Sequence, residues 1–207
     1  MTRIAVIYYS STGTTHALAE AYAQGAVDSG AEVRLRRAPE LAPRAVIDRS
    51  PEWAAHLSQT DDIPDARPDD LVWADGFALG TPTRFGNPAA QLKQFIDTTG
   101  GIWEAGELAG KPGTTFTSSY ETHGGQESTL LSLHQVLHHW GAVILPPGYR
   151  NYDLAHAAGG NPYGISHVSG DGPPGNAVLE AARAQGRLLA ETARALTSVR
   201  TRDREAA

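Results

Sequence analysis

Residues 4–15, IAVIYYSSTGTT, constrain the fold of this chain more than any other segment. The first six of them form an unbroken apolar run, which is typical of a parallel strand buried on both faces. A hydroxyl-rich turn follows, and helix-compatible residues begin directly after it. A buried strand that leads at once into a helix predicts an α/β domain with a parallel sheet.

The turn at residues 10–15 predicts an anion-binding site. It brings free backbone N–H groups and the positive end of a helix dipole to one point, and its hydroxyls can donate further hydrogen bonds. Because the turn contains neither Lys nor Arg, it fits a terminal phosphate monoester held by dipoles. It is neither a P-loop nor a Rossmann G-x-G-x-x-G loop. An ordinary strand-to-helix turn capped by hydroxyls has the same residue types, so this stretch alone leaves both interpretations open.

Composition narrows the classes of function. A chain of 207 residues with 41% hydrophobic residues has the size of one domain with insertions. The formal net charge of −6, without a basic cluster, gives no electrostatic footprint for DNA or RNA, so we expect no nucleic-acid partner. The absence of cysteine excludes disulfides and thiolate chemistry. No apolar run is long enough to span a bilayer and no leader precedes the first strand, so we expect no membrane insertion and a cytoplasmic location.

Segments with strand character alternate with helical segments along the chain. Strands are expected at residues 4–9, 31–37, 75–80, 114–119 and 142–145. Helices are expected at 14–28, from Asn87 as cap and Pro88 in the first turn to residue 97, from about residue 126, and at 176–198. This alternation predicts a doubly wound, five-stranded parallel sheet with helices on both faces. Its ligand should lie in the crevice beyond the carboxyl ends of the strands.

Two segments have a weak regular pattern and are expected to be surface insertions in a single domain over residues 1–198. Residues 39–68 are rich in Pro, Ala and charge, with one short helix expected to start at residues 50–52. Residues 147–175 are rich in Gly, Pro and Asn. Residues 199–207 are expected to form a frayed, charged tail.

Five further motifs carry a resemblance to a known family. They are GTPTRFGN (80–87), DTTGGIW (97–103), HGGQES (123–128), GGNPYG (159–164) and SGDG (169–172). In this order, and together with a turn that matches the flavodoxin pattern Ser/Thr-x-Thr-Gly-x-Thr, they resemble the flavodoxin-like NAD(P)H:quinone oxidoreductases of the WrbA type. The resemblance covers nearly the whole chain. It implies a flavodoxin-like fold, FMN held at three loops, ping-pong two-electron reduction of quinones by NADH or NADPH, and a homotetramer whose chains help to enclose each flavin.

The resemblance also implies the residues of the site. Those expected to bind the cofactor are Ser10, Ser11, Thr12, Gly13, Thr14, Thr15, Thr83, Arg84, Phe85, Ser118, Ser119, Thr122, His123, Gly124 and His139. Catalytic support is expected from Arg84, through negative charge near the reduced ring, and from His139, through protonation. Trp103 is expected to form one wall for a planar quinone. A surface salt bridge for Arg84, a core position for Trp103 and a role for His138 in place of His139 remain alternatives.

The chain departs from the family pattern at two loops. Residues 119–123 read Ser-Tyr-Glu-Thr-His where relatives often carry a glycine-rich sequence, and Thr12 stands where some relatives have a tyrosine associated with the nicotinamide nucleotide. Glu127, His134 and His138 could share a helix face and suggest a metal, but packing explains the helix and we expect no metal. A one-electron carrier of the flavodoxin type and a flavin-binding stress-associated protein with weak reductase activity remain rival functions.

Overall fold

The computed structural model describes the backbone of residues 1–206 and the side chains of residues 1–197. Its strands are β1 (Arg3–Tyr8), β2 (Glu32–Arg37), β3 (Gly76–Arg84), β4 (Asn87–Pro88), β5 (Pro112–Ser119), β6 (Val143–Ile144) and β7 (Ile165–Val168). Its α-helices are α1 (Thr14–Asp28), α2 (Arg44–Ile47), α3 (Pro51–Gln59), α4 (Pro68–Trp73), α5 (Ala90–Asp97), α6 (Gly100–Glu104), α7 (Gln126–His139), α8 (Tyr152–Ala157) and α9 (Asn176–Ala206). The predicted frayed tail at 199–207 lies outside the residues whose side chains are described.

The main sheet is parallel and doubly wound, as predicted. Its strand order is β2-β1-β3-β5, and the position beyond β5 is shared by two short strands. β6 pairs with the first residues of β5, while β7 pairs with its last four, from Phe116↔Ile165 to Ser119↔Val168. The predicted fifth strand is therefore split, with an excursion of the chain between its two halves.

Strand β7 corrects the expectation that residues 147–175 are a surface insertion throughout. The sequence signal was weak because ISHV has only two apolar residues and stands among Gly and Pro. Close packing fixes this strand in the sheet. A Cβ on Gly164, the residue before it, would lie 2.4 Å from the carbonyl oxygen of Thr115.

Two apolar cores lie on the two faces of the sheet. One contains the inward side chains of α1 and α9, and the other those of α4, α5 and α7. Helices α1 and α9 cross at glycines, because a Cβ on Gly25 would lie 1.9 Å from the Arg183 carbonyl oxygen and one on Gly186 would lie 2.1 Å from that of Tyr22. The two helices thus pack backbone to backbone against the sheet.

The segment after β3 differs from its prediction. Asn87 does not cap α5. Asn87 and Pro88 instead form β4 and pair with Arg84 and Thr83 in a small antiparallel hairpin. The helix starts at Ala90, and the Thr81 hydroxyl accepts a hydrogen bond (2.9 Å) from the Ala89 N–H just before it. The predicted short helix after residue 50 is present as α3, with Pro51 in its first turn.

Candidate flavin site

A cavity of about 240 Å³ lies at the carboxyl ends of β1, β3 and β5. Because the strands are parallel, this edge gathers the loops that follow each of them. The side chains that line it are Ser10, Ser11, Thr12, Thr14, Thr15, Pro82, Thr83, Arg84, Ser118, Ser119, Tyr120 and Ser169. Most of the residues predicted for the three cofactor loops therefore meet in one cavity.

The turn between β1 and α1 has free donors at one end of this cavity. Gly13 caps the helix with a φ of 100°, a conformation that favours glycine. No side chain caps α1 and its first turn carries no acidic residue, while the first N–H groups of a helix have no partner inside it. The Gly13 N–H itself donates to the Ser10 hydroxyl at 3.0 Å. The helix end is thus available to an anion and fits a phosphate.

Two buried hydroxyls connect the first loop to the third. Thr15 is 1% exposed and Ser118 is 4% exposed, and their hydroxyl oxygens lie 2.9 Å apart in a hydrogen bond. Thr15 belongs to the first turn of α1, whereas Ser118 lies at the end of β5. This bond holds the phosphate-binding turn against the neighbouring loop.

Arg84 supplies the positive charge of the cavity. Its guanidinium donates to the Ser11 hydroxyl at 3.2 Å and to the Thr83 carbonyl at 3.0 Å. Within the described side chains no carboxylate pairs with it, so the surface salt bridge considered from sequence is not present. A guanidinium held only by neutral acceptors is available to stabilise negative charge on a ligand.

The third loop is shaped by hydrogen bonds that sequence reasoning missed. The Ser119 hydroxyl donates to the Glu121 carbonyl and accepts from the Gln126 amide, both at 2.7 Å. The Ser169 hydroxyl donates to the Ser119 carbonyl at 3.0 Å. Tyr120 and Ser169 line the cavity without having been predicted. For Ser169 the signal was the SGDG motif; for Tyr120 none was available, because its loop departs from the glycine-rich pattern.

Thr122, His123 and Gly124 do not line this cavity. Thr122 and His123 face a separate groove of about 660 Å³, which the residues around Tyr163 bound on the other side. A Cβ on Gly124 would lie 2.6 Å from the Cβ of Ser119, so this glycine allows the loop to fold closely. Within the loop, Ser119 and Tyr120 therefore line the flavin cavity, while Thr122 and His123 line the separate groove.

Phe85 stands at the tip of the β3–β4 hairpin, fully exposed. Its φ is 52°, the one positive value at a non-glycine residue in the described chain. The ring lines neither the flavin cavity nor the other cavities described here.

His139 and Trp103 lie at the opposite end of the sheet from the cavity. Helix α7 starts beside the third loop and runs back along β5, so its last residue, His139, is roughly 20 Å from its start at 1.5 Å per residue. The Trp103 indole N–H donates to the His139 carbonyl at 2.7 Å, which places both at the amino-terminal edge. His138 precedes His139 at the same helix end. Within one chain, these side chains therefore do not reach the cavity at the carboxyl ends of the strands.

Of the three residues of α7 suspected to hold a metal, His134 is buried, while Glu127 and His138 are exposed. His134 is 9% exposed and its Nε2 shares a hydrogen bond with the Thr115 hydroxyl at 3.1 Å. Burial lowers the pKa of His134. In the described part of the chain, no group of three His, Asp or Glu side chains is arranged to hold a metal ion.

Comparison with known proteins decides the family. The family described as NADPH-dependent FMN reductase matches residues 2–157. The chain belongs to this family. It is 44% identical over 160 residues to the NAD(P)H dehydrogenase (quinone) of Deinococcus radiodurans, covering 77% of this chain and 80% of that one. It is 45% identical over 165 residues to the protein of the same description from Paracoccus denitrificans, with 78% and 77% covered.

Solved structures agree with this membership. A flavodoxin, WrbA-like protein from Agrobacterium tumefaciens superposes with a TM-score of 0.65 at 25% identity, covering 95% of this chain and 99% of that chain. A flavodoxin from the domain Archaea reaches 0.62 at 18% identity and supports the fold alone. The flavodoxin-like fold and the resemblance drawn from sequence are confirmed, and family and fold together imply that the chain binds a flavin. Across the described helices, none has the length and apolar character to cross a membrane.

Proposed function

We propose that the protein is an FMN-dependent oxidoreductase that transfers two electrons from NADH or NADPH to quinones. The observation that carries the proposal is the hydroxyl-lined cavity at three parallel strand ends, closed at one end by an uncapped helix terminus. The chain that forms this cavity is about 45% identical to two NAD(P)H dehydrogenases (quinone). A terminal phosphate monoester, which FMN carries, fits that helix terminus.

Different residues at the cavity would bind different parts of FMN. The first-turn N–H groups of α1 and the hydroxyls of Thr12, Thr14 and Thr15 would hold the phosphate. Thr83, Arg84 and Tyr120 lie at the other loops and would border the ring system. When bound, FMN supplies the redox chemistry, because it can accept a hydride from a nicotinamide and pass two electrons to a quinone.

The protein groups then orient the cofactor and stabilise charge. Arg84, free of carboxylates within the described side chains, would stabilise negative charge that develops near the reduced ring. The Thr15–Ser118 bond would keep the first and third loops at a fixed spacing. No nucleophile or acid–base dyad is required, since the electron transfer is the chemistry of the cofactor.

The test begins with the purified protein. Its visible spectrum should show a flavin, and the flavin released by heat should be FMN and not FAD by mass spectrometry. Anaerobic NADH or NADPH should bleach the spectrum without a separate reductase, and benzoquinone should restore it. Release of FAD would contradict the cofactor, whereas a flavin that nicotinamides do not reduce would favour the one-electron carrier.

We also propose that the chain assembles as a homotetramer. Several large apolar side chains are exposed on the described surface, among them Phe85, Trp103 and Tyr152, and closed symmetry commonly covers such groups. Trp103 and His139 are too far from the cavity of their own chain to act there. In a tetramer they could border the flavin of a neighbouring chain, which would restore the roles that the family resemblance gives them.

A further inference from the structure

A second cavity, of about 260 Å³, lies at the same edge of the sheet between β1 and β2. Its walls include Tyr8, Ser10, Arg37, Glu40, His56 and Asp65. Ser10 also lines the flavin cavity, so the two spaces adjoin. The functions assigned to the flavin cavity do not use this space.

Two buried polar atoms of the cavity wall, the Tyr8 hydroxyl and Arg37 Nη1, have no hydrogen-bond partner among the described residues. Tyr8 is 1% exposed, and its ring stacks on His16 with the centroids 5.2 Å apart. Buried donors left unpaired destabilise a protein. Their convergence indicates that a ligand with hydrogen-bonding atoms completes this space.

The charges around the cavity decide what kind of ligand fits. Burial raises the pKa of the Tyr8 hydroxyl, which stays protonated, and burial lowers the pKa of His56 to about 4, so this ring is neutral at pH 7. Arg37 is the cation of the lining residues named above, and it already contacts Asp61 at 3.5 Å and Asp65 at 3.1 Å.

Glu40 adds a further carboxylate to the wall. It accepts hydrogen bonds from Tyr9 at 2.8 Å and Gln91 at 2.7 Å. A dianionic phosphate would therefore meet excess negative charge. A neutral group fits better if it offers an acceptor to Arg37 Nη1 and hydroxyls to the carboxylates.

We propose that this cavity receives the adenosine half of the nicotinamide donor and thereby selects NADH over NADPH. The proposal rests on the proposed function, in which a nicotinamide nucleotide reduces the flavin in the adjoining cavity. Adenosine is neutral, carries ring-nitrogen acceptors and presents ribose hydroxyls. A carboxylate that accepts from the ribose 2′-hydroxyl, as Asp65 can here, disfavours a 2′-phosphate at the same place.

Equilibrium binding tests the cavity without any redox step. Calorimetric titration of the flavin-loaded protein with adenosine and with 2′-AMP should show binding of adenosine and at least ten-fold weaker binding of 2′-AMP. Ala38→Leu, which fills the cavity from its wall, should abolish adenosine binding, while Ala55→Leu on the exposed side of α3 should not. No binding of adenosine to the wild type, or tighter binding of 2′-AMP, overturns the proposal.

Rapid-reaction kinetics tests the selection of the donor. The wild type should bind NADH at least ten-fold more tightly than reduced nicotinamide mononucleotide, which lacks the adenosine half. Asp65→Asn should raise the ratio of kcat/KM for NADPH to that for NADH by about ten-fold, and Asp153→Asn on α8 should leave it unchanged.

The two proposals fail in different ways. Equal affinity for NADH and the mononucleotide overturns the role of this cavity and leaves the reductase intact. If no nicotinamide reduces the flavin, the proposed function falls and donor selection falls with it, although adenosine binding would still show that the cavity takes a nucleoside.

Discussion

At the scale of single residues, Thr15 offers the most direct test of flavin binding, because it lines the cavity and its buried hydroxyl is hydrogen-bonded to that of Ser118 at 2.9 Å. Thr15→Val keeps the shape but removes the hydroxyl. We expect FMN binding to weaken by about 1–3 kcal/mol, the range for a hydrogen bond to a charged group. Fluorescence titration of the flavin-free protein with FMN measures the change. Thr192→Val on α9 is the control, and an unchanged dissociation constant for Thr15→Val would count against the phosphate site.

His56 predicts how stability depends on pH. Burial, followed by the charges of His16 and Arg37, lowers its pKa from 6.5 to about 4 in the folded state. Below pH 6.5 the unfolded state therefore binds a proton at His56 more readily than the folded state does. The contribution of the neutral His56 to the free energy of unfolding is fully present above pH 6.5 and is lost as the pH falls towards 4. The linked free energy is about 3 kcal/mol.

His56→Gln isolates this effect, because glutamine does not titrate in this range. Urea unfolding between pH 4 and 7.5 should give a flatter dependence for the variant than for the wild type. His16, whose pKa burial also lowers, should leave part of the slope in place. Parallel curves for the two proteins would show that His56 is not responsible.

A local pattern could predict which residues of the first turn lie together. The hydroxyls and Gly13 of this turn are adjacent in sequence and form one structural unit, and the hydroxyls line one cavity. Tyr120 and Ser169 come together across some fifty residues through the bond from Ser169 to the Ser119 carbonyl. No local pattern encodes such a contact.

At the scale of elements, the crossing of α1 and α9 is the tightest joint described. We predict that Gly25→Ala destabilises the protein by about 3 kcal/mol or more, because its Cβ would lie 1.9 Å from a backbone carbonyl of α9 that cannot move aside alone. Gly100→Ala in α6, where a Cβ meets nothing within 4 Å, should be neutral or stabilising by up to about 1 kcal/mol. Chemical denaturation compares the two. Equal stabilities would mean that the helices cross less closely.

The β3–β4 hairpin predicts opposite changes in stability and activity. Phe85→Asn suits the positive φ at its tip and should stabilise the chain by on the order of 1 kcal/mol. If the exposed ring serves quinone binding in the assembly, the same variant should raise the KM for the quinone. Phe85→Leu is the matched variant, since it keeps the backbone strain but removes the ring. Full activity in both variants would show that Phe85 has no part in the reaction.

Elements were predicted from sequence as far as hydrophobic runs define them. Strands β1 and β5 carry long buried runs and appeared near their predicted bounds, whereas β3 extends to Arg84, four residues past its predicted end. Strand β7 was not predicted, because its four residues have mixed polarity and are held in the sheet by pairing with β5, which lies far away in sequence. The β3–β4 hairpin was not predicted either. Asn87-Pro88 has the local pattern of a helix start, but these residues pair with Arg84 and Thr83 instead.

At the scale of the whole molecule, the topology places Trp103 and His139 at the opposite edge of the sheet from the cavity that most of the other predicted site residues line. The three loops of the cavity follow β1, β3 and β5 at one edge, so the parallel sheet brings them together whatever their distance in sequence. His139 is the last residue of α7, which runs back along the sheet, and Trp103 contacts it from α6, so both lie at the other edge. The motif that contains Trp103 gave no information about that direction, and His139 lies outside the motifs.

Assembly can be tested by complementation between two inactive chains. Trp103→Ala should keep FMN bound and lose quinone turnover, while Gly13→Val should lose FMN because valine cannot adopt the φ of 100° in the phosphate turn. In a tetramer with shared sites, the second chain still offers Trp103 to the flavin of the first. Mixed refolding of both should therefore restore turnover per bound FMN towards the wild-type value.

Two controls sharpen this prediction. Light scattering should report a tetramer for the wild type, and activity per chain should fall on dilution as the tetramer dissociates while FMN remains bound. If the turnover of the mixture equals only the average of the turnovers of the two variants measured separately, Trp103 does not act across chains. A fully active monomer would remove the assembly from the mechanism altogether and return Trp103 to a role in packing α6 against the carbonyl of His139.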